Sequence, residues 1–205
     1  ISATADTGYI KIGKDSTSDD ATQLVAENDI SLTATAGSVT VQDAAEIHAG
    51  TATSAGDVNI TALTTVDVTG SAIVDASKAG TITSTEVAPA TATAITIDTD
   101  KNLTANDGTV TIENKNGDVT IQNGTVEAKL ASSTSTAVAN VDIDATGAVT
   151  VDSATVTAKN KVLVGDNATP TPNKAGSFTA QNSAVVVGEK GVEVYAAGDA
   201  VVDGI

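Results

Sequence analysis

No cysteine, methionine, tryptophan or arginine occurs in the 205 residues, and histidine occurs once, as His48. Each absence closes a chemical route. Without cysteine there is neither a disulfide framework nor a thiolate metal site. A single imidazole excludes any two-histidine zinc motif such as H-E-x-x-H. Ten lysines stand against 26 acids, for a formal net charge of -16, so the chain repels polyanions and nucleic acid is not expected as a partner. No apolar run approaches the ~20 residues that cross a bilayer, so membrane insertion is not expected either. No initiator Met and no signal peptide open the sequence, and Ile1 reads as a processed end or an excision point from something longer. Aromatics make up only 1% of a chain that is 40% hydrophobic. A mean hydropathy of +0.08 and abundant Val and Ile argue against disorder despite the charge.

What fills the chain is a run of short segments in which β-branched and polar residues alternate, each introduced by Gly or Asn-Asp. Examples are GYIKIG from Gly8, NDISLTA from Asn28, GSVTVQD from Gly37, GDVNITA from Gly56, GTVTIEN from Gly108 and GDVTIQN from Gly117. Apolar residues fall two apart, as in Val39 and Val41 or Val119 and Ile121. That period puts them on one face of a strand, and Val, Ile and Thr pack well on a pleated surface. No long stretch carries a capped helical period, so the chain is predicted to be all-β.

The segments are also self-similar. Beginning at Gly37, Gly117, Gly147 and Gly176, each unit has apolar residues at +2 and +4, a polar Asp, Asn or Ser at +6, a small residue at +7, and then a second apolar pair. The unit from Gly56 fits with a longer corner. Two strands joined by a tight polar corner are implied, with Asn, Asp or Gly supplying the turn. Spacing between units is uneven, and the excess lies in four polar segments: Lys14 to Gln23, Glu86 to Thr93, Ala131 to Ala139 and Asp166 to Ala175. A solenoid tolerates this, because each coil touches only its neighbours and extra residues loop outward. The prediction is a single parallel β-solenoid, or β-helix, over 1–205, with irregular coils and loop insertions. At roughly 20 to 30 residues per coil it holds about seven to nine coils. A sandwich fits less well, since its core normally uses large aromatics. Coils stacked at ~4.8 Å explain the scarcity of rings, because small β-branched side chains stack without bulging the next coil. Neither end shows a polar cap, so continuation into more coils or onto another copy is expected.

The Gly-Asp-Val-Thr-Ile opener, the Asn or Asp corner and the Ala-, Thr- and Val-rich composition resemble the repeat region of filamentous haemagglutinin-like adhesins, the large secreted bacterial proteins of the two-partner class. The resemblance spans Gly37 to Gly204 and rests on a degenerate pattern. It implies a right-handed β-helix outside the cell, acting as a non-enzymatic stalk or adhesive fibre, with self and surface glycans as partners. The alternatives are a self-assembling filament subunit, a polysaccharide-active β-helix enzyme, and an ice-binding protein.

Candidate sites follow from the acids and amides. Asp142 with Asp144, and Asp98 with Asp100, are pairs at strand spacing, as two-carboxylate glycoside chemistry requires, but such pairs arise readily in an acidic strand and are expected to be solvated surface. Asp98, Asp100 and Asn102 match the first positions of a calcium loop. Leu103 stands where that loop needs Gly, and Thr109 where it needs Glu, so the three remain weak calcium candidates, as do Asp19 and Asp20. No other cofactor is expected. His48 follows inward Ile47 and is expected on the surface without a role; Tyr9 and Tyr195 are likewise expected to face outward. Of four glycosylation sequons, at Asn59, Asn102, Asn123 and Asn167, the last lies in a Pro-containing loop and is the most accessible. Thr51 with Thr53 and Thr91 with Thr93 suggest ice-binding rows but fall in irregular loops.

Overall fold

The structure is a computed structural model that describes residues 1–13, 22–51, 53–87, 92–166 and 173–203. The first coil holds β1 (Ser2–Ala5), β2 (Ile10–Ile12) and β3 (Gln23–Ala26). The second and third hold β4 (Ile30–Ala34), β5 (Val39–Val41), β6 (Glu46–Ala49), β7 (Val58–Ala62), β8 (Val66–Gly70) and β9 (Ile73–Ala76). Next come β10 (Gly80–Ser84), β11 (Thr93–Thr99), β12 (Asn102–Ala105), β13 (Val110–Asn114), β14 (Gly117–Gln122) and β15 (Thr125–Ala128). The sixth and seventh coils hold β16 (Val141–Ala145), β17 (Ala148–Asp152), β18 (Thr155–Ala158), β19 (Val162–Val164), β20 (Ser177–Gln181) and β21 (Val185–Gly188). An incomplete eighth has β22 (Val192–Val194) and β23 (Ala200–Val202).

Every third strand pairs in parallel, which makes three sheets. Sheet A runs from β1 to β22, sheet B from β2 to β23, and sheet C from β3 to β21. This is the all-β parallel solenoid that the repeats predict, with three strands per coil rather than two. Of the four polar insertions, Ala131 to Ala139 falls between β15 and β16, while Gln23 and Thr93, the last residues of two others, begin β3 and β11. The longest step between partners on sheet A reaches from Ile112 to Ile143, and the step from Ile143 to Val164 is ten residues shorter.

Side chains stack in columns between the sheets. On sheet A, Leu32, Ile60, Ile82, Ile112, Ile143 and Val164 are successive partners, all essentially without exposure. On sheet C the inner column is Ile47, Val74, Leu103, Val126 and Val156. Beside it runs an alanine column of Ala26, Ala49, Ala76, Ala105, Ala128 and Ala158, ending at Gly188. With rungs ~4.8 Å apart, identical residues nest on one another and a larger one has to displace its neighbours. The lone Phe178, 3% exposed, occupies a rung on sheet B whose next partner is the small Ala200, which leaves the ring room.

The polar corners have a definite backbone. Asp43, Asn123, Ser153 and Asn182, the four +6 residues of the repeat, have φ of 57°, 65°, 53° and 54°. Asn and Asp accept this left-handed conformation more easily than β-branched residues do. The opening glycines answer a different need, close approach between coils. A Cβ at Gly37 would lie 1.9 Å from the Gly8 carbonyl oxygen, and one at Gly117 would lie 1.9 Å from that of Thr93. The segment from Gly56 belongs to a different side of the coil: it forms β7 and β8 of sheets A and B, whereas the other four units form strands of sheets B and C.

Candidate functional site

The outward face of sheet A changes character along the rod. Toward β1 it carries Ser31 and Thr33, Asn59 and Thr61, then Thr81 and Thr83, all uncharged. Further on, Glu113 stands opposite Asp144, and Asp142 opposite Leu163. Asp142 and Asp144 are two apart on β16 and therefore point the same way. With Leu163, Gly165 and Asp166 they line a groove of about 210 Å³.

This pair is not the solvated surface expected from the sequence. Both carboxyls are half-buried, and Asp142 Oδ1 is fully buried without a hydrogen-bond partner. Burial raises the Asp142 pKa, against a bond from Asn140 that lowers it. Asp144 is pushed up to about 6, first by burial and then by the charges of Asp166, Glu113 and Asp142. Leu163 and Asp166 reach the groove from the following coil and remove water from what would otherwise be an exposed strand face. Chemically the cluster can hold a proton near neutral pH. Its lining includes neither a ring nor a cation to grip a sugar.

On sheet B the outward face carries Thr96, Thr120, Thr150 and Thr179 as successive partners. This threonine row escaped the sequence analysis because its members are far apart in the chain. The threonines that suggested ice-binding rows behave differently. Thr93 is buried in β11, Thr51 and Thr53 bond within a loop, and Thr91 lies outside the described residues. Beside the row stand Asp98, Gln122, Asp152 and Gln181. Gln122 Nε2 donates to Asp98 Oδ2 at 2.6 Å and Asn123 Nδ2 to Asp98 Oδ1 at 2.7 Å. Two coils on, Gln181 and Asn182 hold Asp152 in the same way, both at 2.9 Å. Bonds from Gln181, Asn182 and Ser153 lower the Asp152 pKa.

The weak calcium candidates are thus divided. Asp98 lies on sheet B with both oxygens accepting from side-chain amides, whereas Asn102 begins β12 on sheet C. Asp100 is exposed at the corner between them. Among the described residues, no group of three or more His, Cys, Asp or Glu side chains is arranged to hold a metal ion. Asp19, Asp20 and the glycosylation candidate Asn167 lie outside the described residues.

Sheet C places His48 outward, as expected, but in company. Its Nδ1 lies 3.5 Å from Asp75 Oδ2 one coil later, and its Nε2 lies 3.7 Å from Glu46 Oε2. Asn106 Nδ2 donates to Asp75 Oδ1 at 2.5 Å. A shallow groove of about 400 Å³ runs past His48, Thr51, Asp75, Ser77 and Asn106. These contacts tie successive coils together on the rod's flank. Tyr9 is 70% exposed, while Tyr195 donates its hydroxyl to Glu193 Oε2 at 3.2 Å.

No protein family matches the chain, and neither a curated protein nor a solved structure resembles it closely enough to count as a relative.

Proposed function

We propose that this chain is a structural, non-enzymatic segment of a large secreted bacterial surface protein, serving as a rigid stalk or adhesive fibre in the manner of filamentous haemagglutinin-like adhesins. The observation that carries the proposal is the in-register stacking of three parallel sheets on a largely aliphatic core. Such a body resists bending because each coil is hydrogen-bonded to the next along three sides. Its chemistry sits on the flanks in shallow grooves, which suits contact with large surfaces better than turnover of a small substrate.

The experiment is to raise antibodies against the recombinant rod and label the cells that make it. Labelling of intact cells, together with a denatured species of hundreds of kilodaltons, is the outcome expected of a stalk. Labelling only after permeabilisation would overturn the proposal. A surface species near 20.1 kDa would favour the second reading, a filament subunit.

A further inference from the structure

Over β1, β4, β7 and β10 the outward face of sheet A is a two-column array of uncharged polar side chains. One column runs Ser2, Ser31, Asn59 and Thr81, the other Thr4, Thr33, Thr61 and Thr83, each residue the direct partner of the next. In a chain with 26 acids, the first charge in either column is Glu113 on β13, the partner of Thr83. The acids at the edge of the array are turned back onto the backbone. Asp29 Oδ1 accepts from the Asp57 amide at 2.9 Å, and Asp57 Oδ1 from the Ala79 amide at 3.0 Å. At the opposite edge, Thr35 and Thr85 donate to the carbonyls of Ala5 and Ala62 on the preceding coil. The array itself is uncommitted: among the described residues, none of its eight side chains is hydrogen-bonded to another protein group.

The geometry points to a further activity, binding of this face to the surface of ice. Rungs ~4.8 Å apart, with alternate residues roughly 6.6 Å apart along each strand, set the outward groups on a two-dimensional grid. Oxygen atoms on the prism faces of hexagonal ice repeat at spacings close to both. Threonine suits such a grid because its branched Cβ restricts χ1, so that methyl and hydroxyl are placed before binding and little freedom is lost on contact. The methyls restrict the orientations of first-shell water, and the hydroxyls between them both donate and accept, as water does. A charged head group would hold a hydration shell of its own. The array carries neither ring nor charge to grip a soluble sugar or an ion, whereas a crystal face offers a weak contact at every grid point at once. The threonine row of sheet B lacks these properties. It is a single column beside Asp98, Gln122, Asp152 and Gln181, and its Thr96 is bonded to Asp67.

This activity goes beyond the structural reading and does not depend on it, because it belongs to the isolated 205-residue chain. That chain is expected to slow the coarsening of ice grains in a frozen film and to be taken up into ice grown slowly from solution, which excludes albumin. Thr61→Tyr puts a ring in the middle of the array. Thr61→Glu puts there a residue that the same column already accommodates at Glu113. Both variants should lose both effects, with circular dichroism and the urea midpoint confirming that each is folded. Thr150→Tyr, at an outward position of sheet B, should match wild type. A wild-type chain excluded from ice as albumin is, a folded Thr61 variant that keeps the activity, or an equal loss in Thr150→Tyr would each overturn the proposal.

Discussion

Asn123 donates through Nδ2 to Oδ1 of Asp98 at 2.7 Å, across one coil of the solenoid and from a backbone with φ of 65°. One residue thus meets two demands, a left-handed corner and a bond to the neighbouring coil. Asn182 repeats the arrangement with Asp152 at 2.9 Å. Gly tolerates the conformation but cannot make the bond; Ala can do neither well.

The expected order of stability is therefore wild type, then Asn123→Gly, then Asn123→Ala. The lost bond costs about 0.5–1.5 kcal/mol. The left-handed backbone adds roughly 1–2 kcal/mol for Ala. Urea unfolding monitored by circular dichroism separates the three. Equal loss in both variants would mean that the corner conformation is not what selects Asn.

How far the sequence led is visible at the same corner. The period of two, the apolar residues at +2 and +4 and the polar residue at +6 are local features, and the structure has them as inward columns and left-handed turns at Asp43, Asn123, Ser153 and Asn182. The third side of the coil was not legible. Val58 and Ile60 on sheet A repeat the same V-x-I pattern as Val119 and Ile121 on sheet B, so the unit from Gly56 could be aligned one side out of phase. What distinguishes sheet C is the alanine at its second inward position, a signal that emerges only when Ala49, Ala76 and Ala105 are set in register. The groove at Asp142 and Asp144 was hidden for a related reason. Alternation correctly turns both outward, but their burial comes from Leu163 and Asp166 on the following coil.

That alanine column should resist enlargement. Ala105 is fully buried, with Ala76 and Ala128 as its partners above and below. Ala105→Leu forces its extra volume into coils spaced at ~4.8 Å. Overpacking of this kind costs about 1–3 kcal/mol. The same substitution at Ala131, an exposed loop residue, should leave the urea midpoint unchanged. Comparable effects at the two positions would contradict the tight inter-sheet packing.

A buried polar junction interrupts the aliphatic core between sheets A and B. Ser84 Oγ donates its one proton to the Thr64 carbonyl at 2.5 Å and lies 3.1 Å from Thr93 Oγ1. Thr93 Oγ1 in turn donates to Asn114 Oδ1 at 2.6 Å, and Asn114 Nδ2 donates to the Asp118 carbonyl at 2.8 Å. Asn114→Ala removes the near acceptor of the buried Thr93 hydroxyl, which keeps only the Asn116 carbonyl at 3.4 Å, at a cost of about 1–3 kcal/mol. Asn114→Ala with Thr93→Val removes one stranded hydroxyl along with its partner and should recover part of the loss. A double-mutant cycle showing no coupling would mean that the chain of bonds is not continuous.

Asp144 should make the rod more stable in mild acid. Its carboxyl is raised from an ordinary 3.8 to about 6 in the folded chain. The folded state therefore holds the proton more tightly than the unfolded state does. The resulting stabilisation is fully present below the unfolded pKa and is lost as pH rises through the folded one. The working window thus runs from 3.8 to about 6. Asp142, also raised by burial, shifts stability in the same direction. The lowered carboxyls of Asp107 and Asp152 act oppositely, and only at more acid pH. Of the charged groups on the packed strands, Glu113 is partnered by Lys115 at 3.9 Å, and Lys161 is bonded to Glu193, so among the described residues no lysine is paired with Asp144 itself. Because the carboxyl is only half-buried, solvent screening leaves an effect on the order of 1 kcal/mol. Asp144→Asn keeps the shape and removes the charge. Its urea midpoint should exceed that of wild type at about pH 7, and the two should converge at about pH 4, where the wild-type carboxyl is protonated. A variant no more stable than wild type at neutral pH would show that neither burial nor the neighbouring carboxyls make the Asp144 charge costly in the folded chain.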